Sequence, residues 1–224
     1  MKQYLQIMIA GISLIILVAS CKSLNKTQAE TGQNNAGIKD LMAGMKSGNT
    51  MMSALLDGVT GGNAGIVIGK RMDAEAAAIQ KAIPGAQVKR IGEGINITFE
   101  SGFLFGKSSA GISGDAETNL EKLATFFTGN PNTKILIEGH TSKDSSMAAN
   151  EEANMQLSQQ RAVAVSRFLQ SKGVDVSRIT EKWYGDNQPK YPNDTEANRQ
   201  KNRRVEIGLI ANEAFKKMAQ EAKE

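Results

Sequence analysis

The feature that most constrains the fold is a short apolar run at residues 135–137, which Gly139, His140 and Thr141 follow almost at once. An uninterrupted run of Ile and Leu predicts a buried strand. The residues that follow then lie at the carboxyl end of this strand, where proteins with α/β layers place their ligands. We therefore expect a binding site around Gly139 to Thr141.

Two arginines are predicted to lie beside this strand end. Apolar residues recur at helical spacing from Leu157 to Leu169, and Arg161 comes one turn after Leu157, near the apolar face of that helix. Residues 205, 207 and 209 alternate as a half-buried strand, and Arg203 shares their parity just before the strand begins. A partly sheltered guanidinium needs an anion to offset its lost hydration. Both arginines are therefore candidates for ligand contact.

Four motifs occur in order around these residues. They are Gly-His-Thr at 139–141, Asn-x-x-Leu-Ser-x-x-Arg-Ala at 154–162, Gly-x-x-x-Pro with Asn-Asp-Thr at 185–195, and Asn-Arg-Arg-Val-Glu-Ile at 202–207. Each motif is weak alone, but together they specify a family. Over about half of its length, residues 94–209, the chain resembles the OmpA-like C-terminal domain, the module that holds peptidoglycan in Gram-negative envelopes.

The order of the predicted elements fits this resemblance. Strands and helices alternate, and Ser113 and Asn212 can each cap a helix. We expect an α/β fold, an OmpA-like sandwich of helices on one face of a mixed parallel and antiparallel sheet, at residues 88–211. A terminal helix is expected at residues 212–224. The predicted strands lie at residues 95–99, near 135, at 179–184 and near 205.

The resemblance also implies the ligand. The stem peptide of peptidoglycan in this cell class carries diaminopimelate, which presents an ammonium and a carboxylate on one carbon. In the family, an Asp directly after Gly-His-Thr binds the ammonium, and the Arg of Leu-Ser-x-x-Arg binds the carboxylate through its forked guanidinium. By motif position that arginine is Arg161. The other contacts implied by the motifs are Arg203, Thr141, Asn154, Asn202 and the residues around Gly106, which close the opposite wall.

The sequence departs from the family pattern where the acid is expected. Ser142 follows Thr141, and a hydroxyl cannot supply the negative charge. The loop before the next helix is also longer than expected, by about four residues. Asp144 is our candidate for the missing acid, because loops tolerate insertions and re-aim their side chains. The alternative is that Asp144 only caps or solvates the loop.

Two other conspicuous side chains receive no ligand role. His140 is the sole histidine, and although Ser142 and Asp144 are close in sequence, three residues within five positions cannot easily adopt a catalytic-triad geometry. We expect His140 to be an orienting hydrogen-bonding residue, and we expect no enzyme activity, metal site or cofactor. Arg204 has the opposite parity to Val205 and is predicted to form a solvated basic edge.

The N-terminus resembles a bacterial lipoprotein signal peptide. Lys2 precedes an apolar stretch at residues 5–19 that ends at Cys21, and the stretch is too short to span a membrane. Cleavage after residue 20 would leave Cys21, the only cysteine, as the acylated first residue, and the alternative is a free or buried thiol. Residues 21–36 have the composition of a flexible tether. By the same resemblance, Lys22 instead of Asp favours the outer membrane over the inner membrane. The sequence after Cys21 has no acidic run, which favours the periplasmic face over surface display.

A helical region is predicted between the tether and the domain, at residues 37–83. Gly61, Gly65 and Gly69 form G-x-x-x-G-x-x-x-G, which resembles a glycine zipper and on a helix would let another helix approach closely. The alternative is a plain glycine-rich loop. Asp57 and Asn63 argue against a membrane span.

These features predict a non-enzymatic tether. Lipid on Cys21 would hold the outer membrane while the C-terminal domain binds peptidoglycan. The alternative is an envelope scaffold that has lost wall binding and assembles with itself or another envelope protein through the glycine-zipper helices. The formal net charge of +4 is modest and aromatic residues are few, so nucleic-acid binding is not expected.

Overall fold

The structure is a computed structural model that describes residues 50, 52, 60–106, 108–143 and 150–222. The predicted signal peptide, Cys21, the tether and the candidate acid Asp144 lie outside the described residues. Within the described ranges, no helix is both long enough and apolar enough to cross a bilayer.

One mixed sheet organises the domain. Its strands are β1 (Gln87–Ile91), β2 (Gly94–Glu100), β3 (Thr133–Gly139), β4 (Ile179–Trp183) and β5 (Arg204–Ala211). Their spatial order is β1-β2-β5-β3-β4. β3 and β4 run parallel, whereas the other neighbours are antiparallel. The predicted mixed sheet is confirmed, while the edge strand β1 has no counterpart among the predicted strands.

Helices connect and flank these strands. Between residues 60 and 222 they are α1 (Gly62–Ala82), α2 (Ser101–Leu104), α3 (Gly114–Gly129), α4 (Glu151–Ser171), α5 (Glu196–Asn202) and α6 (Glu213–Glu221), with a 3-10 turn at Val176–Arg178. Both predicted caps are confirmed. Ser113 Oγ accepts the Ala116 N–H at 3.3 Å, and Asn212 Oδ1 accepts the Phe215 N–H at 2.9 Å. Each such cap satisfies a helix N–H and stabilises by about 1 kcal/mol.

The main core lies on one face of the sheet. Ile97 of β2, Ile137 of β3 and Ile207 of β5 share that face and are fully buried, in one cluster with Leu120 and Phe127 of α3. Burying each of these side chains contributes roughly 1.5–3 kcal/mol. The predicted arrangement of helices on one face of the sheet is confirmed.

The glycine-rich segment begins a helix that packs on this domain. Gly61, at φ 70°, precedes α1, and Gly65 and Gly69 lie within it, so these two do not form a loop. The side chains of Glu93 and Arg90, from the β1–β2 hairpin, lie directly over Gly65 and Gly69. Ile68, Met72 and Ile79 of the same helix join the main core. Within the described residues, the glycine face therefore contacts a hairpin of its own chain, and self-association through this face stays a prediction.

The opposite face of the sheet is also buried where it carries Asn96, Arg204 and Glu206. Arg204 is 3% exposed, and its Nε donates to Glu206 Oε1 two residues along the same face. The prediction that Arg204 forms a solvated edge is wrong, because β5 is the central strand and pairs with β2 and β3 on either side. Asn96 also donates to Glu206, at 2.8 Å.

Candidate functional site

A cleft of about 760 Å³ opens at the carboxyl end of β3. Thr141 and Ser142, which follow the strand after His140, line this cleft with Asn154, Leu157 and Arg161 of α4. The segment from β2 to α3 supplies the opposite wall, through residues that include Phe105, Gly106 and Ser108, as the resemblance implies. Glu196 and Gln200 of α5 complete the rim with Arg203.

A short hydrogen-bond chain holds the strand end against α4. The Thr141 N–H donates to Gly185 O at 2.8 Å, and the Gly185 N–H donates to Ser158 Oγ at 3.0 Å. Gly185 has φ 55°, a backbone conformation that glycine adopts without strain. The Ser of the Leu-Ser-x-x-Arg motif therefore orients the loop, while the Arg one turn later faces the cleft.

Arg161 is a buried cation that has no counter-charge among the described residues. Its Nε donates to Ser109 O at 3.0 Å, its Nη1 donates to Ser101 Oγ at 3.3 Å, and the guanidinium lies 5.3 Å from the centre of the Phe105 ring. No carboxylate of the described chain pairs with it. Burial and the charge of Arg203 lower the pKa of Arg161 to about 10, because both disfavour the charged form. An anion entering the cleft would relieve both effects.

Arg203 is held at the rim by two partners. Its Nη1 donates to Ser142 Oγ at 3.1 Å, and its Nη2 donates to Glu196 Oε1. The residue that replaces the family Asp is thus occupied in positioning an arginine. Arg161, Arg203 and Glu196 together give the charged groups of the cleft lining a net positive sum, which favours an anionic or zwitterionic ligand.

The remaining predicted contacts divide into two groups. Thr141 and Asn154 line the cleft and are almost fully buried, and Thr141 Oγ1 has no hydrogen-bond partner in the described structure. Asn202 does not line the cleft. Its side chain accepts the Lys190 and Tyr191 N–H groups and donates to Tyr191 O and Asn193 Oδ1. The prediction that Asn202 contacts the ligand is corrected, because this amide is fully used in holding a loop.

His140 lies behind the cleft, on the opposite face of the sheet. Its ring stacks on Tyr184 with centroids 5.2 Å apart, and Nε2 is 3.6 Å from Glu138 Oε2, beyond hydrogen-bond distance. Neither ring nitrogen has a hydrogen-bond partner in the described structure. Among the described residues His140 is therefore a packing residue rather than the orienting hydrogen-bonding residue that we predict from the sequence.

The structure adds residues that the motifs do not identify. Glu196 and Gln200 lie on the short helix α5, whose residues are polar except for Ala197, so it has no apolar periodicity that would predict it. The sequence signal for this helix is Thr195, which can cap a helix, followed by the carboxylate of Glu196 in the first turn. No group of three or more His, Cys, Asp or Glu side chains among the described residues is arranged to hold a metal ion. The two arginines and the carboxylate of the lining suit the binding of a charged ligand.

Comparisons with known proteins agree with this geometry. The model of the OmpA family matches residues 104–203. "Probable lipoprotein YiaD" of Escherichia coli (strain K12) is 30% identical over an alignment 224 positions long, which covers 93% of this chain and 99% of that protein. The peptidoglycan-associated lipoprotein of Pasteurella multocida (strain Pm70) is 34% identical over 101 residues, 45% of this chain and 65% of that protein.

The fold is also similar to that of a solved structure. The cell wall anchor of the T6SS from Pseudomonas aeruginosa is similar to this chain with a TM-score of 0.55 and 26% sequence identity. The similarity covers 63% of this chain and 98% of that one.

Proposed function

Because this chain belongs to the OmpA family, we propose that its cleft binds peptidoglycan non-covalently and anchors the protein to the cell wall. Arg161 receives a carboxylate of the stem peptide, and Arg203 provides a second positive charge at the rim. The names of one relative, a peptidoglycan-associated lipoprotein, and of one structural neighbour, a cell wall anchor, support this proposal. As expected for this family, the chain is a binding protein and not an enzyme.

The observation that carries the proposal is the buried guanidinium of Arg161, which pairs with no carboxylate in the part of the chain that the structure describes. A buried charge is costly unless it is paired, and a protein retains such a charge where a ligand supplies the partner. Two of the guanidinium nitrogens are oriented by Ser109 and Ser101, so the side chain does not need to reorganise on binding. The Thr141 hydroxyl, which has no hydrogen-bond partner among the described residues, lies in the same cleft and offers the ligand a further hydrogen bond.

Diaminopimelate is the stem-peptide residue that suits this cleft. Its free end carries a carboxylate and an ammonium on one carbon, so it needs a cation and an acceptor side by side. A planar guanidinium binds both oxygens of a carboxylate and distinguishes it from a neutral amide.

The other end of the protein is proposed to be held by lipid on Cys21 at the periplasmic face of the outer membrane. The naming of two relatives as lipoproteins supports this part. Many copies anchored in one membrane and facing one polymer bind multivalently, so a modest affinity at each cleft gives a firm attachment.

A sedimentation assay with purified sacculi tests the proposal. We expect the wild-type domain to sediment with sacculi, and the Arg161→Gln variant to remain in the supernatant. Arg167→Gln is the matched control, because Arg167 is an exposed arginine on the same helix and does not line the cleft. Each assay is run at low and high salt, since an ion-paired ligand binds less tightly as salt rises. Equal sedimentation of all three proteins would overturn the assignment of Arg161.

A further inference from the structure

Glu196 is the only carboxylate among the residues that line the cleft within the described chain. It is the first residue of α5, and its side chain is 62% exposed, whereas Arg161 is 3% exposed. The cleft therefore has a cation at its buried end and an anion at its open rim.

The Glu196 carboxylate is oriented but not saturated. Oε1 accepts a hydrogen bond from Arg203 Nη2, and Oε2 accepts one from Arg199 Nε at 2.9 Å. These two bonds lower the pKa of the Glu196 carboxyl, because they stabilise its ionised form. A carboxylate offers about four lone-pair sites, so roughly two remain for a ligand. The group is thus ionised at neutral pH and able to accept further donors.

The residue at the family's acid position cannot take this role. Ser142 carries no charge, and its hydroxyl accepts a hydrogen bond from Arg203 Nη1. Arg203 in turn holds Glu196, so the three residues form a chain along one side of the cleft. The negative charge that is missing after Gly-His-Thr is therefore present in this row of hydrogen-bonded residues, on Glu196 of α5.

We propose that Glu196 accepts the ammonium of the ligand's amino-acid end. This inference rests on the proposed function, in which Arg161 holds the carboxylate on the same carbon. It also fixes an orientation, with the carboxylate directed inward and the ammonium directed to the rim. The chemical class selected is an α-amino acid end group, and a plain carboxylate is bound less tightly.

The competing account is that Glu196 only positions Arg203. The two accounts differ in which ligands they affect. An ammonium acceptor discriminates between ligands with and without the amine, whereas a residue that positions Arg203 affects every carboxylate ligand equally.

A matched pair of stem tripeptides separates these accounts. One is L-Ala-γ-D-Glu-meso-diaminopimelate, and the other carries L-2-aminopimelate instead, so that only the terminal amine is missing. Calorimetric titration of the wild-type protein should show tighter binding of the diaminopimelate peptide. In Glu196→Gln we expect its affinity to fall about tenfold, in line with a lost charge-assisted hydrogen bond. The affinity for the aminopimelate peptide should change less than about twofold, and the melting temperature should be unchanged because the side chain is exposed.

Asp144→Asn is measured in parallel. A selective loss in Asp144→Asn and not in Glu196→Gln would overturn the inference and assign the ammonium to Asp144. An equal loss for both peptides in Glu196→Gln, or no loss for either, would also overturn it. If the wild-type protein binds neither peptide and does not sediment with sacculi, the proposed function itself fails. Sedimentation without a selective effect of Glu196→Gln refutes only the inference about Glu196.

Discussion

The carbonyl oxygen of Ser158 packs against Gly139 so closely that a Cβ atom on Gly139 would overlap it. The last residue of β3 and the middle of α4 are thus in backbone contact, which fixes the distance between the strand end and the helix that carries Arg161. Because the obstacle is backbone rather than a flexible side chain, a larger residue cannot be accommodated without moving the helix.

We predict that Gly139→Ala lowers the free energy of unfolding by about 1–3 kcal/mol, the usual cost of overpacking a core. Urea denaturation measures this change. The variant should also bind sacculi more weakly than its residual folded fraction explains, because a shift of α4 moves Arg161. Gly129→Ala is the control, since no neighbouring atom lies within 4 Å of its Cβ position. It should be as stable as the wild type and bind sacculi equally well. Equal stability of the two variants would contradict the prediction.

The sequence predicts most of the cleft because its signals are local. Helical spacing relates Leu157 to Arg161, and strand parity relates Arg203 to Val205. Both relations survive in the structure, where Leu157, Arg161 and Arg203 line one cleft. Strand parity also places Arg204 on the opposite face, and only its exposure is mispredicted.

The alternation of residues along a strand predicts which side chains share a face of the sheet. It does not predict whether the second face, which carries Arg204, is buried. The pairing of Arg204 with Glu206 was available, since oppositely charged residues two positions apart share a face of a strand. Contacts that depend on tertiary structure were not available. Glu196 reaches the cleft through a seven-residue polar helix, and Asn202 is withdrawn from the cleft by a loop that no periodicity describes. Local pattern thus identifies the arginines but not the acid beside them.

Arg161 should contribute to binding at the expense of stability. Its lowered pKa means that the folded state disfavours the charged guanidinium, so without ligand the charge costs stability at any pH below about 10. We predict that Arg161→Met binds the diaminopimelate tripeptide at least about 30-fold more weakly, the loss expected when one partner of a buried charge pair is removed. Its free energy of unfolding should stay within about 1 kcal/mol of the wild-type value or rise.

Arg178 provides the opposite case. Its guanidinium donates to the carbonyl oxygens of Phe127, Asn130 and Thr133, so it satisfies backbone groups and does not line the cleft. Arg178→Met should lower the free energy of unfolding by about 1–3 kcal/mol and leave tripeptide affinity unchanged. If Arg161→Met is the less stable of the two variants, the account of Arg161 as a functional charge is wrong.

His140 should make the fold sensitive to mild acid. Burial lowers the pKa of its imidazole, and the nearby charge of Arg204 lowers it further, against the opposing effects of Glu138 and Glu206. Since the unfolded chain binds a proton near pH 6.5 and the folded one does not, stability is full above that pH and falls below it. The slope approaches about 1.4 kcal/mol per pH unit. In His140→Phe, which keeps a ring against Tyr184, urea denaturation should show a flatter profile between pH 6.5 and 5.

A second acid transition belongs to Glu206 and should remain in that variant. Burial would raise the pKa of the Glu206 carboxyl, but the charges of Arg204 and Lys190 and hydrogen bonds from Arg204 and Asn96 lower it to about 2. The stability that the ionised Glu206 carboxylate contributes to the fold is complete above pH 4.5 and is lost as the pH falls toward 2. Loss of the transition below pH 4.5 in His140→Phe would show that the two groups do not titrate independently.

Met52 packs against the sheet at Gly208. Its side chain is 1% exposed against Gly208, and its N–H donates to Glu138 Oε1 at 2.7 Å. We predict that Gly208→Val displaces Met52, because the new side chain occupies the position of the flexible thioether, while a branched residue suits a central strand. Peptide mass spectrometry after peroxide treatment should show Met52 oxidised several-fold faster in the variant. Met218, 55% exposed in the wild type, is the internal control and should oxidise equally in both proteins. Equal protection of Met52 in the two proteins would contradict its attachment at this point.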